Sequence, residues 1–244
     1  TLRADCLSCY GYHRKTTRHI DALAADGVRF EHVASNSTWT CPSFASIFTG
    51  TVPSRHEVWA FGPAAPLPAT MPTLSELFRD AGWATHSIAY KAPLYRGGYE
   101  RGFDVSFNVP RASVMADDNL VEAMDWLDKR ANQRNFLFLH FDDPHQPFTQ
   151  PAPFDSMFDI DLEQAGIKLP LSVDAAPDRA AKIKSVIRGL YDGEIAYVDD
   201  RIGTFLSELK KRGLYDDAVI AFVSDHGEEI WERGSFGHGG ARFH

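Results

Sequence analysis

Apolar runs of strand length alternate along this chain with stretches whose apolar residues recur every three or four positions. That alternation argues for helices packed on a mainly parallel sheet, a three-layer α/β sandwich. The runs predict strands at Gly27 to Val33, Trp83 to Tyr90, Asn135 to Phe141 and Ala218 to Ser224. Thr17 to Asp26 reads as a helix closed by Gly27, and Pro72 to Ala81 as another with Pro at its start and Gly82 past its end. Leu120 to Ala131 carries a stripe at Leu120, Met124 and Leu127. The clearest helix runs from about Tyr191 to Arg212, with Tyr191, Ile195, Val198, Ile202, Phe205 and Leu209 on one face. Gly213 stops it and the Ala218 strand follows, half of a parallel crossover.

Between Gln150 and Arg179 the periodicity fades. Pro151, Pro153, Pro170 and Pro177 stand there among acidic and aromatic residues. Residues 150–179 read as an insertion or lid, because Phe154, Met157, Phe158 and Leu169 are too apolar for a free linker.

Composition narrows the function classes. With 244 residues and 44% apolar content, a single α/β domain spanning 1–244 can bury a sizeable core. A net charge of -8 without a Lys/Arg block excludes tracking of a phosphate backbone, so no nucleic acid partner is expected. Anionic small molecules stay open, since a metal and a few placed cations can dominate a pocket. No apolar run approaches the ~18 residues of a membrane span. The chain opens on a patterned segment at Thr1 without Met, so upstream residues are expected and localisation is hidden. Cys6, Cys9 and Cys41 are too sparse for a disulfide scaffold, and Cys6-x-x-Cys9 lacks a second ligand pair for zinc.

In open parallel sheets ligands bind beyond the carboxyl ends of the strands. Three polar segments follow predicted strands. Asp225-His226-Gly227 offers a carboxylate and an imidazole beside a turn-permitting Gly, a set suited to a hard or borderline cation. Pro42 favours the first turn of a helix, leaving Thr40 and Cys41 at an amino end that attracts negative charge. A hydroxyl there beside a metal could attack phosphorus or sulfur. His145, between Pro144 and Pro147, is suited to protonating a leaving oxygen, and His238 sits among glycines that allow an anion close. Each has a plain structural alternative: an N-cap for Thr40, surface turns for the Asp-His-Gly, His145 and His238 segments.

The order of these segments resembles the sulfatase family of the alkaline-phosphatase superfamily. Ile20-Asp-Ala-Leu-Ala-Ala-Asp-Gly-Val-Arg-Phe30 is similar to its first helix and strand, and Thr40-Cys-Pro-Ser-Phe-Ala-Ser-Ile-Phe-Thr-Gly50 with Pro53-Ser-Arg-His56 to its nucleophile region. Phe138-Leu-His-Phe-Asp-Asp-Pro-His-Gln-Pro-Phe148 resembles its substrate-histidine strand, and Tyr191 to Asp200 and Phe222 to Glu228 complete the match. The resemblance implies a metal-dependent hydrolase of small anionic phosphate or sulfate esters. Thr40 would be nucleophile and metal ligand, Asp225 and His226 metal ligands, His145 the acid, and His238 and Lys91 substrate contacts.

Departures refine that expectation. Formylglycine sulfatases have Cys or Ser two residues before a Pro and Arg two residues after it; here those positions hold Thr40 and Phe44. Cys41 is therefore a decoy, and a phospho(di)ester is favoured. His226 in place of Asn shifts the expected divalent metal from calcium, still possible, toward zinc or manganese. The family's first metal-binding Asp would fall directly before Thr1, and relatives continue past His244, so the chain reads as truncated at both ends. A true sulfatase, a headgroup phosphotransferase and an inactive anion-binding homologue remain alternatives.

Overall fold

A computed structural model describes residues 1–59, 66–90, 97–109, 115–130, 132–158, 160–163, 166, 168, 184–233 and 236–239. Its helices are α1 (Arg18–Asp26), α2 (Thr40–Thr49), α3 (Pro53–His56), α4 (Leu74–Asp80), α5 (Met115–Asp128) and α6 (Lys184–Lys211). Its strands are β1 (Ala84–Tyr90), β2 (Val105–Val109), β3 (Asn135–Leu139), β4 (Glu229–Ile230) and β5 (Phe236–Gly237). The chain divides into two compact units, Thr1–Val33 with Asp143–His238, and Ala34–Asp142 with Gly239–His244.

The second unit holds a parallel sheet in the order β2-β1-β3; β1 and β3 fall on predicted strands, whereas β2 lies outside them. His86 pairs with Val105 on one side and Leu137 on the other. The period-two rule sends alternate β1 side chains to opposite faces. Ala89 joins Phe44 and Phe48 of α2 in one cluster, while His86 meets Trp126 of α5 at 5.1 Å on the other face. α5 buries Ala116, Leu120, Ala123, Trp126 and Leu127, so its stripe is wider than Leu120, Met124 and Leu127 alone. α4 starts at a capping box: Thr73 accepts from Glu76 N at 3.2 Å and Glu76 accepts from Thr73 N at 2.9 Å.

The first unit is organised by α6. It begins at Lys184, earlier than the sequence suggests, and every residue from Gly189 to Asp199 is buried. The expected single apolar face is thus a helix enclosed all round at its middle, with Leu206 rather than Phe205 completing the stripe. Gly193 makes one side of this possible. A Cβ there would lie 2.3 Å from the Phe154 carbonyl oxygen, so only Gly lets the 150–160 segment press against the helix. This is the described part of the expected lid; most of 164–179 lies outside the described residues.

Gly27 to Val33 and Ala218 to Ser224, predicted as strands, enter no ladder. Val28 is 82% exposed and Val219 99%. An apolar run becomes a strand only where a neighbour supplies hydrogen-bond partners. The ladder described in this unit is the β4–β5 hairpin, which does not reach them.

α1 lacks a side-chain cap of its own, because the Thr17 hydroxyl bonds Ser8 N and Asp21 instead. Asp199 of α6 replaces it, accepting from His19 N at 3.0 Å and Ile20 N at 2.8 Å. Asp199→Ala removes a buried carboxylate that caps two helix N–H groups, and should lower unfolding free energy by about 2–3 kcal/mol. An unchanged urea midpoint would show that the cap contributes nothing.

Candidate active site

The loop after β3 carries Asp143-Pro144-His145-Gln146-Pro147. The His145 ring bonds the Gln146 carbonyl through Nδ1, and burial holds the imidazole below its usual range. The β4–β5 hairpin pairs Glu229 with Gly237, which sets Glu228 across from His238. His238 Nδ1 donates to the Glu228 carboxylate at 3.1 Å. Its ring also lies 5.0 Å from His145 and 4.4 Å from His226, centroid to centroid. His145, His238 and His226, chosen from separate stretches of sequence, are therefore one row of imidazoles with a buried carboxylate behind the middle one.

His226 shows why a cation fits here. Its Nδ1 faces the Gly227 carbonyl at 2.9 Å, an oxygen that can only accept, so Nδ1 bears the hydrogen. Nε2 then turns a lone pair toward Asp225 Oδ2 at 3.3 Å. Two acceptors at that separation repel unless positive charge joins them. Burial, the largest cause, holds the His226 imidazole well below its usual range, so the ring itself does not supply that charge. The other Asp225 oxygen takes the Thr1 nitrogen at 2.8 Å. Carboxylate oxygen plus neutral imidazole is a donor pair for a divalent ion. Among the described residues no three His, Cys, Asp or Glu side chains converge as a complete set.

Thr40 stands in the other unit. Trp39 takes the N-cap position of α2, so Thr40 is the first helical residue rather than the cap. The lead-in is tied by serines: the Ser43 hydroxyl lies 3.0 Å from that of Ser35 and donates to the Ser37 carbonyl, and Trp39 N donates to the Ser37 hydroxyl. Thr40 is half-buried, whereas Cys41 is packed with Phe44, Ala45 and Tyr99. Phe44 is 2% exposed and meets Phe48, Phe138 and His140 edge to face. Lys91 lies outside the described residues. Cys6 and Cys9 are free thiols, both raised by burial, Cys6 to about 12.

Sequence reasoning gave no role to Glu228 or Trp39. Glu228 follows Asp225-His226-Gly227 directly, and that adjacency was the available signal. Its partnership with His238 depends on a hairpin whose strands are two residues each. Trp39 had no signal, because its indole packs on Gly239, two hundred residues away.

These elements define a mixed α/β framework with a parallel sheet, in which imidazoles and carboxylates follow a sheet strand and a short hairpin. The family model for sulfatase matches residues 1–244, and the chain belongs to the sulfatase family, whose members are ester hydrolases. Human iduronate 2-sulfatase (Homo sapiens) is 22% identical over 94% of this chain and 54% of its own length. The phosphonate monoester hydrolase of Agrobacterium radiobacter superposes with TM-score 0.76 at 21% identity, over 98% of this chain and 63% of that one. The C-terminal periplasmic domain of EcEptC from Escherichia coli, a complex with Zn, gives 0.65 at 16% identity, over 96% and 64%. The chain thus spans about half the length of the curated relatives it matches.

Gly239 has φ +81°, and a Cβ on it would fall 2.3 Å from two carbons of the Trp39 indole. Gly239→Ala should therefore displace Trp39 and change tryptophan emission, a change that disappears when Trp39→Phe is already present. Identical difference spectra in both backgrounds would show that the indole does not rest on this glycine.

Proposed function

We propose that the protein cleaves phosphate esters, phosphodiesters foremost, through a threonine nucleophile. The supporting observation is the fate of the formylglycine positions. Cys41 is packed in an apolar cluster, and Phe44 fills the core where the motif has Arg. Thr40 stands at the start of α2, and counting back two residues from Pro42 makes it our choice for the nucleophile position. A hydroxyl cannot form the aldehyde hydrate on which sulfate release depends, but it can attack phosphorus directly.

In this reading Thr40 Oγ1 attacks phosphorus while the ester oxygen leaves, and His145 gives that oxygen its proton. Held neutral by burial, the His145 ring would take its proton from water or the incoming hydroxyl before passing it on. Water then releases the remaining phosphoryl group from Thr40, as a phosphate monoester when the substrate is a diester. His238, oriented by Glu228, donates to a nonbridging oxygen, and Lys91 is a further anion contact. Asp225 and His226, joined by Thr40, would hold the divalent ion. Such an ion lowers the hydroxyl pKa and offsets charge developing on phosphorus. The donor set favours zinc or manganese over calcium. The phosphonate monoester hydrolase neighbour is consistent with chemistry at phosphorus.

A headgroup transferase would share the first half-reaction and differ in the acceptor, an alcohol in place of water. Rates on aryl phosphodiester, aryl phosphate and aryl sulfate, with and without added alcohol, separate these readings. Using the full-length, metal-loaded protein, Thr40→Ala should lower phosphodiester turnover by about three orders of magnitude or more, while Thr40→Ser keeps part of it. Asp225→Ala should remove metal as read by elemental analysis. Faster turnover of aryl sulfate than of aryl phosphodiester would overturn the assignment, as would a fully active Thr40→Ala.

A further inference from the structure

Glu194 and Asp143 are deeply buried acids to which the reaction above gives no role. Glu194, in the enclosed middle of α6, has no exposed surface, and Asp143, two residues before His145, is 8% exposed. Glu194 Oε1 accepts the N–H groups of Thr149 at 2.5 Å and Gln150 at 3.1 Å. The Gln150 side chain adds a bond from Nε2 to the Leu190 carbonyl of the same helix at 2.9 Å. Among the described residues, Glu194 Oε2 and Asp143 Oδ2 are both buried and receive no donor from any other group, and the two carboxyl groups act on each other directly. Glu194 thus holds the far end of the 143–150 loop by hydrogen bonds and adjoins Asp143 at its start, with His145 between the two.

Two carboxyl groups in contact within a low-dielectric interior cannot both ionise, and a hydrogen bond between them needs one proton. We propose that Asp143 and Glu194 share a single proton, and that this acid pair is the clamp that positions His145 for proton transfer. Burial, together with the partner carboxyl, raises Glu194, and burial raises Asp143, both in the direction that keeps the proton at neutral pH. The titratable groups around the pair are His145 on the loop and, beyond it, His238 and Glu228 on the hairpin. Glu194 is a positioning residue, and its assignment rests on the reading of His145 as the proton donor.

Glu194→Gln is the informative variant. Its amide oxygen can still accept from Thr149 and Gln150, while its NH2 donates to an ionised Asp143, so the clamp survives without the proton. Infrared spectra of the full-length, metal-loaded protein at about pH 8, where an ordinary carboxyl is ionised, should contain a protonated carboxylic-acid carbonyl band that Glu194→Gln lacks. Identical spectra for the two proteins would overturn the shared proton.

The clamp is read by kinetics. Glu194→Ala should lower kcat about tenfold or more, Glu194→Gln about twofold or less, and Glu194→Ala added to His145→Ala should cost almost nothing further. If Glu194→Ala is equally damaging in both backgrounds, its role is general stability and the positioning claim fails. If His145→Ala is as active as the wild type, the reading of His145 fails instead, while the infrared comparison still decides the proton.

Discussion

The middle of α6 carries three acids inside protein, and much of the first unit is arranged around satisfying them. A buried carboxylate without partners is costly, so each must recruit donors from elsewhere in the chain. Asp192 recruits the Tyr12 hydroxyl and the Arg14 guanidinium, both at 2.7 Å. Glu194 recruits the end of the histidine loop, and Asp199 recruits the start of α1. One helix thereby anchors the segment after Thr1, the loop carrying His145 and the first helix.

The second unit answers a different constraint. A parallel sheet must be covered on both faces, and α2 and α5 do this for β1 with aromatic residues. Phe44 and Phe48 meet Phe138 on one side, while Trp126 meets His86 on the other. Filling the α2 interface with Phe44 and Cys41 leaves Thr40 as the residue at the helix start that can present a polar group.

Charge governs the histidine row. His226 Nε2 faces Asp225, and His238 is held by Glu228, so each imidazole is oriented by a carboxylate contributed from the same short stretch, 225–228. The fixed tautomer of His226 makes that arrangement receptive to a cation. His145 differs in being oriented by a backbone carbonyl and by the loop that bears it, so its position is only as firm as that loop's anchorage.

The local signals in the sequence were read well where structure follows from local rules. The stop at Gly213, the helix after Pro72, the β1 and β3 runs and the sulfatase-like order of motifs were all visible, because propensity and periodicity act over a few residues. His145, His226 and His238 were each legible as polar residues in motif segments. What decided the rest acts over long separations. Gly27 to Val33 and Ala218 to Ser224 have strand-like composition, yet a ladder needs a partner that composition does not supply. The burial of Asp192, Glu194 and Asp199 could not be read from an apolar stripe, since it arises when three distant segments close around the helix. The sequence by itself determined the family, the elements and the kinds of chemical group available. Only the tertiary structure decided which of those groups face one another, because hydrogen bonding and desolvation depend on neighbours in space.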